Sequence, residues 1–156
     1  MGLTLPPLPL RWCYRGALQV KQWDTESGKV VLRLAGCAGW IWSLEALDHS
    51  HSVLLSGSTD GMLRTWDLRA GRQVAALSLS SAAPRVVYPV AGLGLRCDAR
   101  YAACGCFDGR VHIVYLRAMR SCGALAGHTD RVTRVACQGD SVLSGGYDGN
   151  VALWQF

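Results

Sequence analysis

The chain has 156 residues, half of them apolar, and its 16 basic and 11 acidic side chains give a formal net charge of +5. This length suffices for one domain with a buried core and is too short for two ordinary domains. The arginines are scattered singly and never form a block, which is typical of a solvated surface and does not indicate a nucleic-acid-binding protein.

The first ten residues are apolar, but they contain Pro6, Pro7 and Pro9 and no basic region precedes them, so the sequence predicts no signal peptide. No apolar run is long enough to cross a bilayer, and we expect no membrane contact. Residues 1–14 match no repeat and are rich in proline, which predicts poor order. Residues 15–156 are expected to form the folded part.

The seven cysteines are odd in number and include no C-x-x-C pair, so they indicate neither a disulfide framework nor a zinc site. We therefore expect reduced thiols in a cytoplasmic or nuclear protein, with no metal and no cofactor. His49 and His51 flank a serine in a polar loop. Two loop histidines without a cysteine or carboxylate at ligand spacing are usually solvated.

Asp-Gly pairs recur along the chain at Asp60, Asp108 and Asp148, each between two short apolar runs. Such a pair is the strongest short signal for a β-hairpin, because glycine accepts a positive φ and the flanking strands alternate faces. We therefore predict an antiparallel strand on either side of each pair.

A longer period organises these hairpins into repeats. Trp23, Trp66, Val114 and Trp154 hold equivalent places and stand 43, 48 and 40 residues apart. This spacing matches a four-strand blade of about 40 to 45 residues. It predicts units of about 25–68, 69–117 and 118–156.

Further strands are predicted outside the hairpins, and no helical periodicity occurs anywhere, so the fold class is all-β. They are a strand ending at Trp23 and strands over residues 30–34, 40–46, 73–79, 92–97, 122–126 and 132–137.

The last unit resembles one complete WD repeat. The resemblance rests on Gly127-His128, residues 132–137, residues 144–149 and Trp154, and it covers about residues 16–156. It implies a partial WD-type β-propeller of about three and a half blades of four-stranded antiparallel sheets.

Short connections between the first two strands of each blade are similar to those of F-box/WD-repeat proteins, the substrate receptors of cullin-type ubiquitin ligases. Nothing upstream of Trp23 predicts a helical F-box. An adaptor role is therefore expected to be lost or supplied by sequence absent here.

The resemblance implies a hydrogen-bonded group inside each blade, made in the family by a His, a Ser or Thr, an Asp and a Trp. In the last unit these positions hold His128, Ser144, Asp148 and Trp154. In the first unit they hold Cys37 in place of His, followed by Ser56, Asp60 and Trp66, and in the middle unit only Asp108 matches. We expect the first two units to be weaker for these departures.

His128, Asp148 and Ser144 are also the residue types of a hydrolase triad. The repeat explains all three as scaffold, and no G-x-S-x-G turn accompanies them, so we predict no enzyme.

In WD propellers, residues just before the inner strand and just before the hairpin Asp rise on one rim. Here these are Trp40, Thr59, Phe107, Arg131 and Tyr147. Aromatic residues and arginine have the composition of an interface hot spot, although Trp40 and Phe107 would also suit the packing between blades.

The sequence thus predicts a non-catalytic protein-interaction scaffold that binds other proteins or peptides. The alternative is a single-stranded RNA-binding protein whose arginines lie between base-stacking rim aromatics.

The strand count predicts an open arc. It leaves the first blade without its inner two strands and the last without its outer strand. Uncovered edges and apolar faces predict an isolated chain that self-associates, aggregates or needs a partner.

Overall fold

The computed structural model describes residues 10–13, 18–47, 52–79, 88–95 and 100–155. All regular secondary structure in these ranges is β-strand. Residues 1–9 and 14, part of the segment for which poor order is predicted, lie outside the described residues, as do His49 and His51. The described ranges contain no helix that is long and apolar enough to cross a membrane.

Within the described ranges, fourteen strands form four antiparallel sheets. Sheet I contains β1 (Leu10–Cys13), β2 (Gln19–Asp24) and β3 (Val30–Ala35). Sheet II contains β4 (Ile41–Ala46), β5 (Val53–Ser58), β6 (Met62–Asp67) and β7 (Arg72–Ser78). Sheet III contains β8 (Val90–Leu95), β9 (Tyr101–Cys106), β10 (Arg110–Tyr115) and β11 (Arg120–Ala126). Sheet IV contains β12 (Val132–Gln138), β13 (Ser141–Gly146) and β14 (Val151–Gln155). The predicted all-β fold of blade-like antiparallel sheets is confirmed.

Each Asp-Gly pair forms the tight turn between the second and third strands of its sheet, as predicted. The aspartate carboxylate accepts a hydrogen bond from the backbone N–H two residues later, at 3.1 Å in sheet II, 3.0 Å in sheet III and 3.1 Å in sheet IV. The glycines Gly61, Gly109 and Gly149 have φ of 73°, 77° and 76°. These turns are therefore closed locally by the aspartate and permitted by the glycine.

The apolar core lies between consecutive sheets, in three seams that we name I/II, II/III and III/IV. Their buried centres are Val20, Leu34, Ile41, Leu54 and Trp66 in seam I/II; Leu55, Leu63, Val90, Cys104 and Val114 in seam II/III; and Ala103, Val111, Val132, Val135 and Val142 in seam III/IV. Since sheets II and III each bury one face against the preceding sheet and the other against the following one, the four sheets stack in series.

The sheets are offset by one strand from the sequence units. The first strand of each unit, β3, β7 or β11, pairs with the preceding sheet as its outermost strand. After its first strand, each unit thus begins a new sheet. Each unit therefore contributes strands to two consecutive sheets and connects them covalently.

Strand β1 was not predicted from the sequence. These four residues are too few to show an alternating pattern, but they pair with β2 from Leu10 opposite Asp24 to Cys13 opposite Lys21. Strand β1 takes the second position of sheet I, so the prediction that this sheet lacks its inner two strands was wrong by one strand.

Candidate functional site

The polar residues implied for the last repeat meet in seam III/IV. The Nδ1 atom of His128 lies 3.0 and 3.1 Å from the carboxylate oxygens of Asp148, and its Nε2 lies 2.8 Å from the Ser144 hydroxyl. The indole N–H of Trp154 donates to the same hydroxyl oxygen at 3.0 Å. The side chains of His128 and Asp148 are almost fully buried. All four residues therefore form one continuous hydrogen-bonded group.

Each hydrogen-bond donor in this group has an acceptor within the group. If Nδ1–H of His128 donates to Asp148, Nε2 accepts from the hydroxyl of Ser144, whose oxygen accepts from Trp154. Burial acts to raise the pKa of Asp148, but hydrogen bonds from His128 and from the backbone N–H groups of Asn150 and Thr129 lower it to about 2. The carboxylate stays ionised and fixes the ring orientation.

The distances from His128 to Asp148 and to Ser144 resemble those of a hydrolase triad, but the environment of the serine differs. The Ser144 oxygen is buried and already accepts a hydrogen bond from Trp154, so no substrate carbonyl has access to it. The loop glycine Gly127 also lies against the indole, where an added Cβ would come within 2.5 Å of Cη2 of Trp154. The group therefore holds the loop before β12 onto sheet IV.

In sheet II an arginine replaces the missing histidine. Arg64 donates to both carboxylate oxygens of Asp60, at 3.0 and 2.7 Å, and Asp60 also accepts from the backbone N–H of Ala38 at 3.1 Å. The indole of Trp66 donates to the hydroxyl of Ser56 at 2.8 Å. Burial opposes ionisation of Asp60, but the hydrogen bonds from Arg64 and from the backbone N–H groups of Met62 and Ala38, together with the positive charge of Arg64, outweigh it and lower the pKa of Asp60. Both Asp60 and Arg64 therefore stay charged.

Sheet III uses a histidine from its own third strand. The Nε2 atom of His112 lies 2.9 Å from the carboxylate of Asp108, and both side chains are buried. The Cys106 thiol lies beside them, and the three potential ligand atoms are within 4.8 Å of one another. Burial raises the pKa of the Cys106 thiol, which favours its protonated form. Since Asp108 and His112 already satisfy each other, we assign this cluster to the packing of seam II/III.

Sequence reasoning missed Arg64 and His112, although a local signal was present. Each basic residue follows its hairpin aspartate by four positions, whereas sheet IV, which has the loop histidine, carries Ala152 there. Across a hairpin this spacing brings a third-strand side chain back to the turn. An Asp-x-x-x-Arg or Asp-x-x-x-His pattern would have identified both replacements.

Sheet I departs further from this arrangement. Trp23 pairs with Arg11, and two residues later Cys13 occupies the register position that Ser56 and Ser144 hold in sheets II and IV. Among the described residues, the buried indole N–H of Trp23 has no hydrogen-bond partner.

The rim residues named from the sequence occupy equivalent places in three sheets. The residue before each hairpin aspartate donates its backbone N–H to the carbonyl of the residue before each innermost strand. These pairs are Thr59 with Trp40 at 2.8 Å, Phe107 with Pro89 at 3.1 Å, and Tyr147 with Arg131 at 2.9 Å. The five predicted residues therefore lie on one side of the stack.

Their side chains differ in exposure. Trp40 is 56% exposed, and Tyr147 and Arg131 are also exposed, whereas Phe107 is half-buried. Trp40 therefore does not fill a seam, which was the alternative assignment for it, and Phe107 is packed between its neighbours.

Trp42 also lies on this surface, although the sequence did not predict it. It lies at a bulge in β4, between Ile41 and Ser43, and a bulge re-aims the side chain that it carries. Its ring contacts Phe107 edge-on with centroids 5.0 Å apart, and the guanidinium of Arg131 lies 4.8 Å above the Phe107 ring. Side chains from sheets II, III and IV thus meet at Phe107.

An open groove of about 430 Å³ borders the two tryptophans. Leu18 and Pro89 form part of its lining, together with Trp40 and Trp42. The groove and the contact around Phe107 form one continuous surface, which we call the aromatic rim and define as Trp40, Trp42, Phe107, Arg131 and Tyr147.

Comparison with known proteins gives a consistent result. The family model described as "WD domain, G-beta repeat" matches residues 28–67 and 119–155. WD repeat-containing protein pop1 of Schizosaccharomyces pombe is 23% identical over 88% of this chain and 23% of the relative. F-box/WD repeat-containing protein 9 of Homo sapiens is 37% identical over 40% of this chain and 15% of the relative. The Arabidopsis thaliana ribosome biogenesis protein WDR12 homolog is 26% identical over 86% of this chain and 30% of the relative. The chain spans less than a third of the length of each relative.

Proposed function

This chain belongs to the WD-repeat family, and from that premise we propose that it is a non-catalytic scaffold that binds other proteins or peptides through its aromatic rim. The observation that carries the proposal is the contact of Trp42 and Arg131 with Phe107, which joins three sheets beneath an exposed Trp40.

Rigidity makes this surface suitable for binding. Trp, Tyr and Arg dominate binding energy at protein interfaces, and side chains already held by neighbours lose less conformational entropy when a partner binds. Phe107 is held on two sides, and the backbone bonds of Thr59, Phe107 and Tyr147 fix the turns beside it. A partner therefore meets a surface that needs little reorganisation.

The charged groups inside the seams support the non-catalytic assignment. Asp60, Asp108 and Asp148 each engage a buried basic residue or histidine, and these pairs account for the polar chemistry of the three hairpins. We propose that these groups act in folding and leave recognition to the rim.

A finer proposal follows from the similarity to F-box/WD repeat-containing protein 9. We propose that the aromatic rim serves as the substrate-recognition surface of an F-box/WD-type receptor in the cytoplasm or nucleus. Strands make up all the regular structure of the described residues, so these residues offer no helix for contact with a ligase adaptor.

Site-specific photocrosslinking tests the proposal. A photoreactive phenylalanine analogue replaces Trp40 in one variant and Val74 in a matched control, because both side chains are 56% exposed and Val74 lies on the outer strand β7. We expect a protein adduct from position 40 that survives ribonuclease treatment. Excess unlabelled chain should compete the adduct away, whereas excess Phe107→Ala chain should compete poorly.

Equal labelling from positions 40 and 74, or equal competition by the Phe107→Ala chain, would contradict the proposal. An adduct from position 40 that ribonuclease abolishes would instead favour the RNA-binding alternative.

A further inference from the structure

The turn between β10 and β11 carries a strained residue where the equivalent turns have glycine. Met119, five positions after Val114, has a φ of 44° and is the only residue other than glycine with a positive φ among the described residues. Five positions after the tryptophan of the third strand, sheets I and II instead have Gly28 and Gly71, with φ of 65° and 63°. A residue with a Cβ is strained in this region, and such strain persists only where the surrounding contacts hold it in place.

The side chain of Met119 makes contacts that account for this strain. It packs against the apolar cluster of seam II/III. Its Sδ accepts a hydrogen bond from the hydroxyl of Thr65, on β6 of sheet II, at 3.3 Å. A thioether is a weak acceptor, so the apolar packing supplies most of the attraction and the hydrogen bond orients the side chain. Met119 therefore connects the turn of sheet III to the third strand of sheet II.

Seam I/II makes the corresponding contact from the opposite sheet. There β3 of sheet I provides Leu32, and a Cβ added at Gly71 in the turn of sheet II would lie 3.4 Å from Cδ1 of this leucine. In sheet II the same register position holds Ala75, since both residues pair with the residue that precedes the tryptophan of the third strand. Seam I/II thus combines a large outer-strand side chain with a glycine turn, whereas seam II/III combines a small one with a methionine turn.

The thioether makes this contact chemically different from its counterpart in seam I/II. Met119 is half-buried, which leaves its side chain partly open to solvent. A hydroperoxide transfers one oxygen atom to Sδ: the O–O bond breaks, an S–O bond forms, the sulfur loses two electrons, and the hydroperoxide leaves as an alcohol or as water. The resulting sulfoxide introduces a polar oxygen into an apolar seam that also contains Leu77 and Leu116, where it is costly to bury.

We propose that Met119 is a redox-sensitive contact between sheets II and III, and that its oxidation by a hydroperoxide loosens seam II/III. The reduced thioether stabilises the seam, and the sulfoxide does not. The contact between Trp42 and Phe107 joins the same two sheets at the aromatic rim. Oxidation of Met119 therefore weakens the packing on which that contact depends, whether or not the rim binds a partner.

Treatment of the purified chain with hydrogen peroxide tests the proposal. Peptide mass spectrometry locates the added oxygen, and the thermal unfolding midpoint is measured before and after treatment. We expect one added oxygen on Met119 and a midpoint lower by at least about 4 °C, because the seam loses apolar packing. A methionine sulfoxide reductase supplied with a thiol should restore the midpoint, whereas the thiol alone should not.

Two substitutions separate Met119 from the other oxidisable side chains. Met119→Leu keeps an apolar side chain of similar volume but has no sulfur, so peroxide should change its midpoint by less than about 1 °C. Met62→Leu, at the first residue of β6, should keep the full loss because Met119 is still present. The cysteines are unchanged in both variants, so their oxidation is matched.

The proposal fails if Met119 is oxidised without a fall in the midpoint, or if it stays unoxidised under conditions that oxidise Met62. It also fails if Met119→Leu loses as much stability on treatment as the original chain, or if the thiol alone restores the midpoint, because oxidation of cysteine would then be the cause. None of these measurements involves a binding partner, so this test is independent of the function proposed for the aromatic rim.

Discussion

At the residue scale, the three hairpin aspartates each have a buried carboxylate, and each carboxylate is paired with a different residue. A buried carboxylate needs donors, and Arg64, His112 and His128 provide them in sheets II, III and IV. Arg64 and His112 reach back from the third strand, whereas His128 comes from the loop that precedes β12. His128 therefore also ties that loop to the sheet, and its loss has the wider consequence.

Replacing His128 with alanine should destabilise the chain by about 1 to 3 kcal/mol, because the buried Asp148 and Ser144 each lose a partner. Urea unfolding monitored by tryptophan fluorescence measures the change. Thr133→Ala, a matched control on β12 whose hydroxyl makes a longer 3.4 Å bond, should have a smaller effect. An unchanged unfolding free energy for His128→Ala would leave this hydrogen-bonded group without a structural role.

At the element scale, glycines in the second strands decide how closely consecutive sheets approach. At Gly105 an added Cβ would meet Cγ1 of Val132 at 2.8 Å and Cγ2 of Val135 at 2.9 Å, and both atoms belong to the next sheet. These contacts lie deep in seam III/IV, where close packing leaves little room for adjustment. The glycine is thus required by a neighbouring element and not by its own backbone conformation.

Gly105→Ala should therefore destabilise the chain by about 1 to 3 kcal/mol through overpacking. Gly145→Ala, at the equivalent position in sheet IV with nothing within 4 Å, should change stability by less than about 0.5 kcal/mol. Parallel chemical denaturation of both variants measures the difference. Equal effects at the two positions would contradict the assigned stacking of sheets III and IV.

How far the sequence predicts these elements depends on the range of the interactions that form them. The hairpins at Asp60, Asp108 and Asp148 were predictable because a turn is specified by adjacent residues. Strand β1 was not, since its four residues gain their partner only through β2. The role of Trp42 was also hidden, because the bulge that directs its ring depends on pairing with β5 and its contact lies in another sheet.

At the scale of the whole molecule, the account depends on sheets that stack in series and bring distant parts of the sequence onto one surface. Trp42, Phe107 and Arg131 come from three sheets and are separated by 65 and 24 positions, but their side chains meet at the aromatic rim. No single blade contains this surface. The rim exists only if the stack is formed, which makes it the most sensitive indicator of the fold and of the proposed function together.

Proton NMR of the intact chain tests this central claim directly. We predict a nuclear Overhauser contact between the rings of Trp42 and Phe107, and upfield-shifted side-chain protons for Arg131, because they lie over the Phe107 ring. Phe107→Leu should remove the shift, whereas Tyr147→Leu should preserve it. A folded chain with neither the ring contact nor the Arg131 shift would contradict the composite rim and the stacking of sheets II, III and IV that creates it.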